Sequence, residues 1–170
     1  VALARAMAPE PDLILLDEPF SSLDNELRER LAGEMREILK VNNITALLVT
    51  HDQFEAFAIA DKVGVMTDGK VLQWDTPYEL YHKPANRYIA DFIGRGVFVK
   101  GIVQAGGKVK IELGELDLEE DRSKEVGKEI EVLLRADDIQ HDDNSAMQAE
   151  VVRKTFRGAD FLYTLSLIHI

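Results

Sequence analysis

Apolar and polar residues are arranged in two different ways along the chain, and the change falls near residue 96. Before that point, two short continuous apolar runs, DLILLD and ITALLVT, alternate with segments whose apolar residues recur at helical spacing, the longest being NELRERLAGEMREILK. A short continuous apolar run is typical of a strand that is buried on both faces. The alternation of such strands with helices predicts a parallel sheet of the α/β class.

Two local signals refine this first region. Asp24 stands just before the long helical segment and has a side chain that is preferred at a helix N-terminus, where it accepts a backbone hydrogen bond. The run KVGVMTDGKVLQWD alternates about Asp68 and Gly69, which predicts a hairpin. Gly64 to Lys70 has the spacing of a phosphate-binding loop, but Val71 replaces the required Ser or Thr, and the context is strand, turn, strand. We therefore interpret this segment as the hairpin alone.

From Val97 onward, apolar residues alternate with a period of two in the segments VFVKGIVQA, KVKIELGE, EIEVLLRA, QAEVVRKTFRG and DFLYTLSLI. Turns rich in Gly, Asp and Asn separate these segments, which is typical of a small all-β domain. We predict an α/β region over residues 1–96 and an OB-like barrel, incomplete, over residues 97–170. The apolar set expected to pack this barrel is Val97, Val99, Ile102, Val109, Ile111, Ile130, Val132, Leu134, Val151, Phe161 and Tyr163.

The composition narrows the class of protein. The 170 residues include no Cys, which excludes a disulfide framework and any Cys-based metal site or nucleophile. The formal net charge is −11 and neither region is basic, so a nucleic-acid partner is not expected. No apolar run approaches the roughly 20 residues that are needed to span a membrane.

Two adjacent acids, Asp17 and Glu18, follow the first apolar run in the segment LILLDEPFSSLD. Ligands of open α/β sheets bind beyond the carboxyl ends of the parallel strands. One acid at such an edge can hold a Mg²⁺ ion that bridges nucleotide phosphates, and the second can activate an attacking water. An isolated Asp-Glu pair can also be a loop start or a helix cap. The surrounding residues are therefore needed to distinguish these structural roles from a nucleotide and metal site.

The surrounding residues resemble the ATPases of ABC transporters. LILLDEPFSSLD is similar to the Walker B segment and D-loop of that family, and ALLVTHDQFEA is similar to its H-loop, with His51 after the second apolar run. VALARAMAPEPD resembles the helix that follows the family's signature motif. The tail VLQWDTPYELYHKPANRYIADFIG and the motifs LLRADDI and FRGADFLYTL resemble importers of small solutes that append a regulatory β domain. The resemblance covers almost the whole chain.

The resemblance implies a role for each matching residue. Asp17 would hold Mg²⁺ through water, and Glu18 would be the catalytic base. His51 would contact the γ-phosphate of ATP and the attacking water, whereas an isolated His would more simply be a loop or core residue. The D-loop residues would reach across a dimer interface towards the other subunit's site; they are Ser21, Ser22, Leu23 and Asp24. Asp24 can also cap the following helix, since a cap uses one carboxylate oxygen.

Two motifs of the family are not found in the chain. There is no Gly-rich loop that ends in Lys and Ser or Thr, and there is no LSGGQ-like signature. In the family both motifs precede the matching segment. We therefore expect residues 1–96 to be the C-terminal part of a P-loop ATPase domain, and we expect this chain alone not to hydrolyse ATP. Whether the last residues of LYTLSLIHI are native to the β domain is left open.

The function that the resemblance implies is ATP hydrolysis that powers the uptake of a small solute, with ATP and Mg²⁺ as cofactors. The implied partners are a second copy of the subunit, membrane-spanning permease subunits and, indirectly, a solute-binding protein, at the cytoplasmic face of the plasma membrane. Ferric iron and polyamines are the favoured solutes, with sulfate and sugars next. Two alternatives stay open: a non-transport ABC ATPase, and a stand-alone binding or regulatory module in which residues 97–170 sense a ligand.

Overall fold

The computed structural model describes residues 2–118, 121–145, 148–158 and 160–167. The chain divides after Arg95 into two compact units, residues 1–95 and 96–170. The elements of the first unit, in chain order, are α1 (Ala2–Met7), β1 (Leu13–Asp17), α2 (Asn25–Val41), β2 (Thr45–Val49), α3 (Gln53–Ile59), β3 (Val63–Thr67), β4 (Lys70–Asp75), α4 (Pro77–His82) and α5 (Arg87–Ile93). Helices and strands therefore alternate up to β3, and this unit is of the mixed α/β class.

Strands β1 and β2 pair in parallel, as the sequence predicts, and this pairing brings their carboxyl ends to the same edge. Asp17 is opposite Val49 at that edge. On one face of the pair, Ile14 is buried in a cluster with apolar residues of α2 and α3, namely Ala32, Met35, Leu39 and Ile59. These contacts fix the two strand ends relative to α2.

The expectation that both strands are buried on both faces is wrong. Leu13, Leu15 and Leu47 lie on the face opposite to Ile14 and keep 52%, 69% and 49% of their surface exposed. A continuous apolar run is buried on both faces when layers lie on both sides of the sheet. In the described part of this unit, the helices cover one side, and the other side is left half exposed.

The β3–β4 hairpin is confirmed. The two strands pair antiparallel and are joined by Asp68 and Gly69, which have φ angles of 48° and 72°. Two successive positive φ angles match a type I′ turn, for which Asp-Gly is a preferred pair. The segment from Gly64 to Lys70 is therefore a strand–turn–strand and not a phosphate loop.

Leu80 and Ile89, from α4 and α5, are fully buried in a second apolar cluster with Val65 of β3.

The second unit contains an open antiparallel sheet and a separate hairpin. Its strands are β5 (Gly96–Gln104), β6 (Lys108–Ile111), β7 (Gly114–Asp117), β8 (Glu129–Arg135), β9 (Ala149–Phe156) and β10 (Phe161–Leu167), with short 3₁₀ turns at Ser123–Glu125 and Ala136–Asp138. Strands β5 to β8 form one sheet in the order β7-β6-β5-β8, and β9 pairs with β10. All pairs are antiparallel. The all-β character is confirmed, but the predicted OB-like barrel is not, because the described strands do not close on one another.

The core of the second unit is smaller than predicted. Val109, Ile111 and Leu134 are buried, and Val99, Ile130 and Val132 pack against them. Five other members of the predicted set are about half exposed, namely Val97, Ile102, Val151, Phe161 and Tyr163. The reason is topological, since an open sheet buries one face, whereas a closed barrel would enclose more of these side chains. The open question about the end of LYTLSLIHI falls partly on residues 168–170, outside the described residues.

In the part of the chain that the structure describes, no helix combines the length and the apolar character that crossing a membrane requires.

Candidate functional site

Glu18 and His51, both predicted as site residues, meet at the carboxyl edge of the parallel strands. The backbone N–H of Glu18 donates to the carbonyl of Val49 at 2.8 Å, which extends the β1–β2 pairing by one residue. His51 comes two residues after β2, and its Nδ1 lies 3.1 Å from Glu18 Oε1. The Glu18 and His51 side chains are 46% and 75% exposed. The edge therefore presents a carboxylate and an imidazole, in hydrogen-bonding contact, to solvent.

The residues from Glu18 to Asp24, which we call the Glu18 turn, hold Glu18 in an unusual backbone conformation. Glu18 has a φ of 43°, a left-handed value that is uncommon for a residue with a side chain. Ser21 stabilises this conformation, because its N–H and its Oγ both donate to the Glu18 carbonyl, at 3.2 and 3.0 Å. Phe20 is 3% exposed and anchors the turn in the apolar cluster that contains Ile14.

Asp17 lies next to this pair but faces another direction. It is the last residue of β1 and is exposed. Because side chains alternate along a strand, it shares the half-exposed face with Leu13 and Leu15. Among the described residues, no group of three or more Asp, Glu or His side chains is arranged to hold a metal ion. Asp17 is thus a single exposed carboxylate and not part of a preformed metal cage.

The four predicted D-loop residues differ in their surroundings. Asp24 caps α2, because its Oδ1 accepts a hydrogen bond of 2.9 Å from the N–H of Leu27. Leu23 is half-buried and packs on the apolar cluster, whereas Ser21 and Ser22 are exposed. The helix-cap interpretation of Asp24 is confirmed, and the contact of these residues across a dimer interface stays a prediction.

The structure adds a polar network that we did not predict from the sequence. The segment Thr50–Asp52, which we call the His51 loop, is held to α3 by the two neighbours of His51, which are Thr50 and Asp52. Thr50 Oγ1 donates to Glu55 Oε2 at 2.6 Å and accepts from the Asp52 N–H at 3.0 Å. Asp52 Oδ1 caps α3 by accepting from the N–H groups of Phe54 and Glu55. An Asp followed three residues later by Glu, as in Asp52 and Glu55, is a helix-start signal that the sequence does contain.

Arg28 of α2 completes the network. Its Nη1 donates to Asp52 Oδ2 at 2.8 Å, and its Nη2 donates to the Leu23 carbonyl at 3.1 Å. Its Nε lies 3.2 Å from Glu55 Oε1, an ion pair that is close but not aligned as a hydrogen bond. Nothing local in the sequence signals these contacts, because Arg28 and Asp52 are 24 residues apart.

A groove of about 740 Å³ runs beside β2 in the first unit. It is bounded by β2, α3 and the β3–β4 hairpin, and His51 lies among the residues that line it. The site is thus a polar edge next to a largely apolar groove.

The fold and the site define a class of protein. This is a mixed α/β protein with two acids and a histidine at the carboxyl edge of parallel strands, the place where such sheets bind their ligands. Comparison with known proteins makes the class more specific. The chain is 35% identical over 170 residues to the spermidine/putrescine import ATP-binding protein PotA of Mycoplasma genitalium, a match that covers 98% of this chain and 30% of that protein.

Two other relatives agree. The chain is 45% identical over 139 residues to the Fe(3+) ions import ATP-binding protein FbpC of Mesorhizobium japonicum, covering 82% of this chain and 38% of that protein. It is 36% identical over 163 residues to PotA of Acetivibrio thermocellus, covering 95% of this chain and 46% of that protein. The chain is therefore a homologue of the ATP-binding subunits of ABC importers, and it spans less than half the length of these relatives. No protein-family model matches the chain.

Proposed function

We propose that this chain supplies the hydrolytic edge of an ABC importer's ATP-binding subunit, with Glu18 as the general base and His51 as the residue that contacts the γ-phosphate and the attacking water. The observation that carries the proposal is the approach of His51 Nδ1 to Glu18 Oε1, at 3.1 Å, beyond the carboxyl ends of two parallel strands. In this role the Glu18 carboxylate takes a proton from water, while the imidazole keeps the carboxylate and the water in line.

The carboxylate at this edge supports the metal ion in this proposal. Asp17 is an exposed carboxylate, which is a ligand type that Mg²⁺ prefers, and one carboxylate is enough where water and nucleotide phosphates complete the coordination. Bound Mg²⁺ would neutralise charge on the phosphates, and Asp17 would orient it, through water.

The partners in this proposal are those of an importer. A second copy of the subunit would face Ser21, Ser22, Leu23 and Asp24, and permease subunits would hold the protein at the cytoplasmic face of the membrane. The second unit, residues 96–170, would be the regulatory β domain, and its barrel would need strand pairings beyond those described. A solute-binding protein would act indirectly. Polyamines and ferric iron are the solutes to test, because the relatives are named for their import.

The experiment uses the product of the complete reading frame, purified and assayed for Mg²⁺-dependent ATP hydrolysis. His51→Ala should slow hydrolysis by about 10²-fold or more while leaving most of the ATP affinity, because His51 contacts only the last phosphate in this proposal. His82→Ala is the matched control, since His82 lies at the end of α4, outside the site. Hydrolysis by His51→Ala at the wild-type rate would contradict the role of His51, and no hydrolysis by the wild type would contradict the proposal as a whole.

A further inference from the structure

The Arg28 side chain forms contacts on both sides of the candidate site. Its guanidinium donates to the Leu23 carbonyl in the Glu18 turn and to the Asp52 carboxylate in the His51 loop. It also forms an ion pair with Glu55, whose other oxygen accepts from Thr50. The planar guanidinium spreads five N–H donors over three nitrogens in a fixed fork, so it matches several fixed acceptors better than the three donors on the single nitrogen of Lys do.

The Glu18–His51 pair cannot hold its own geometry. The Glu18 and His51 side chains are 46% and 75% exposed, and even a fully charged pair at such an exposed position contributes only about 0–1 kcal/mol. Their alignment must therefore come from the backbone on each side. The Glu18 turn carries one partner and the His51 loop carries the other, so a link between these two segments fixes the distance between them.

The link through Arg28 is more protected from solvent than the pair it supports. The Arg28 and Asp52 side chains are 22% and 20% exposed, and Glu55 is 4% exposed. Ion pairs that are partly buried are screened less by salt, and loss of one partner leaves the other charge without compensation. The partial burial of these charges favours a rigid connection between the Glu18 turn and the His51 loop.

We propose that Arg28 is a positioning residue, which sets the Glu18–His51 geometry by joining the Glu18 turn to the His51 loop. The hydrogen bonds and ion pairs of Arg28 in the described part of the chain are to Leu23, Asp52 and Glu55 and not to Glu18 or His51, so Arg28 acts through those three residues. Its effect on catalysis rests on the proposed function, whereas its effect on the His51 environment does not.

The same helix provides a matched control. Arg36 donates to the Ile59 carbonyl and to Asp61 Oδ1, and it thereby ties α2 to the C-terminal end of α3 and to the residues that follow it. This tether has the same chemistry as that of Arg28 but lies eight residues, or roughly 12 Å, further along the helix. Arg36→Gln removes one positive charge and one link between α2 and its neighbours without touching the His51 loop.

The first test follows the His51 ring by NMR in the 170-residue chain labelled with ¹⁵N-histidine. Arg28→Gln should shift the ring signals of His51, and Arg36→Gln should leave them at their wild-type positions. Asp52→Asn tests the same link from the other end, because the amide oxygen keeps the α3 cap while the charge that faces Arg28 is lost. If Arg28→Gln does not fold, Arg28→Lys and Asp52→Asn decide. Wild-type His51 signals in the folded variants would overturn the proposal.

The second test measures steady-state ATP hydrolysis by the product of the complete reading frame. Arg28→Gln should lower kcat by about tenfold to a hundredfold with KM for ATP within about twofold, because a small misplacement of the reacting groups affects the chemical step more than binding. Arg28→Lys should restore part of kcat. Equal losses in Arg28→Gln and Arg36→Gln would indicate a general structural role and would count against positioning. If the wild type does not hydrolyse ATP, the proposed function fails, and the NMR result still decides the role of Arg28.

Discussion

Glu18→Gln should separate the chemistry of this site from its stability. The amide keeps the shape of the side chain and can keep a contact with His51 Nδ1, which lies 3.1 Å from the carboxylate oxygen. The amide cannot take a proton from water, however, so the substitution removes the function that we assign to Glu18. We expect ATP binding to stay near the wild-type affinity and hydrolysis to fall.

The expected change in the free energy of unfolding is much smaller than the expected change in the activation free energy of hydrolysis, so the two effects can be distinguished. Because the Glu18 and His51 side chains are 46% and 75% exposed, we expect the free energy of unfolding to change by less than about 1 kcal/mol. A positioned general base contributes about 10²–10⁴-fold in rate. That factor corresponds to about 3–5 kcal/mol of activation free energy, several times the expected loss of stability.

The assay compares Glu18→Gln with Glu29→Gln in the product of the complete reading frame. Glu29 is an exposed residue of α2, so this control makes the same change in charge away from the site. ATP hydrolysis, ATP affinity by calorimetry and urea unfolding are measured for both variants. Hydrolysis by Glu18→Gln at the rate of the control would refute the assignment of Glu18 as the base. An unfolding free energy lowered by several kcal/mol would refute the view that the exposed pair is not structural.

Three further predictions concern stability and are measured by urea unfolding of the 170-residue chain. Asp24→Ala should lower the free energy of unfolding by about 1 kcal/mol, because it removes the α2 cap. Asp24→Asn keeps a capping oxygen and should lower the free energy of unfolding by about a few tenths of a kcal/mol. Equal losses in the two variants would argue against capping. Gly101→Ala should cost about 1–3 kcal/mol, because the added Cβ would lie 2.5 Å from Val109 Cγ2. Gly33→Ala, in an open position of α2, should instead be neutral or stabilising, and a comparable loss there would contradict the packing argument. Hydrogen bonds from Lys40 and then Arg36 lower the pKa of Asp61 in the folded state, so their stabilisation is present at neutral pH and is lost as the pH falls through that lowered pKa. Asp61→Asn should reduce this loss, and an unchanged acid limb in unfolding measured against pH would contradict it.

The sequence by itself determined the features that depend on near neighbours. Continuous apolar runs predicted β1 and β2, the helical spacing of apolar residues predicted α2, and the Asp-Gly pair predicted the β3–β4 turn, because backbone preferences act within a few residues. Asp24 was predicted as a cap for the same reason. The meeting of Glu18 and His51 could also be anticipated, since parallel strands bring their carboxyl ends to one edge.

Only the tertiary structure decided which surfaces and distant side chains come together. A continuous apolar run does not state how many layers will cover it, and Leu15 and Leu47 are exposed because helices cover one face of β1 and β2 in the described part of the unit. A period of two predicts strands but not their partners, so the open sheet and the separate hairpin of the second unit could not be foreseen. The contacts of Arg28 with Asp52 and Glu55 join segments more than 20 residues apart, and they exist because packing of α2 against α3 brings these charges within hydrogen-bonding distance.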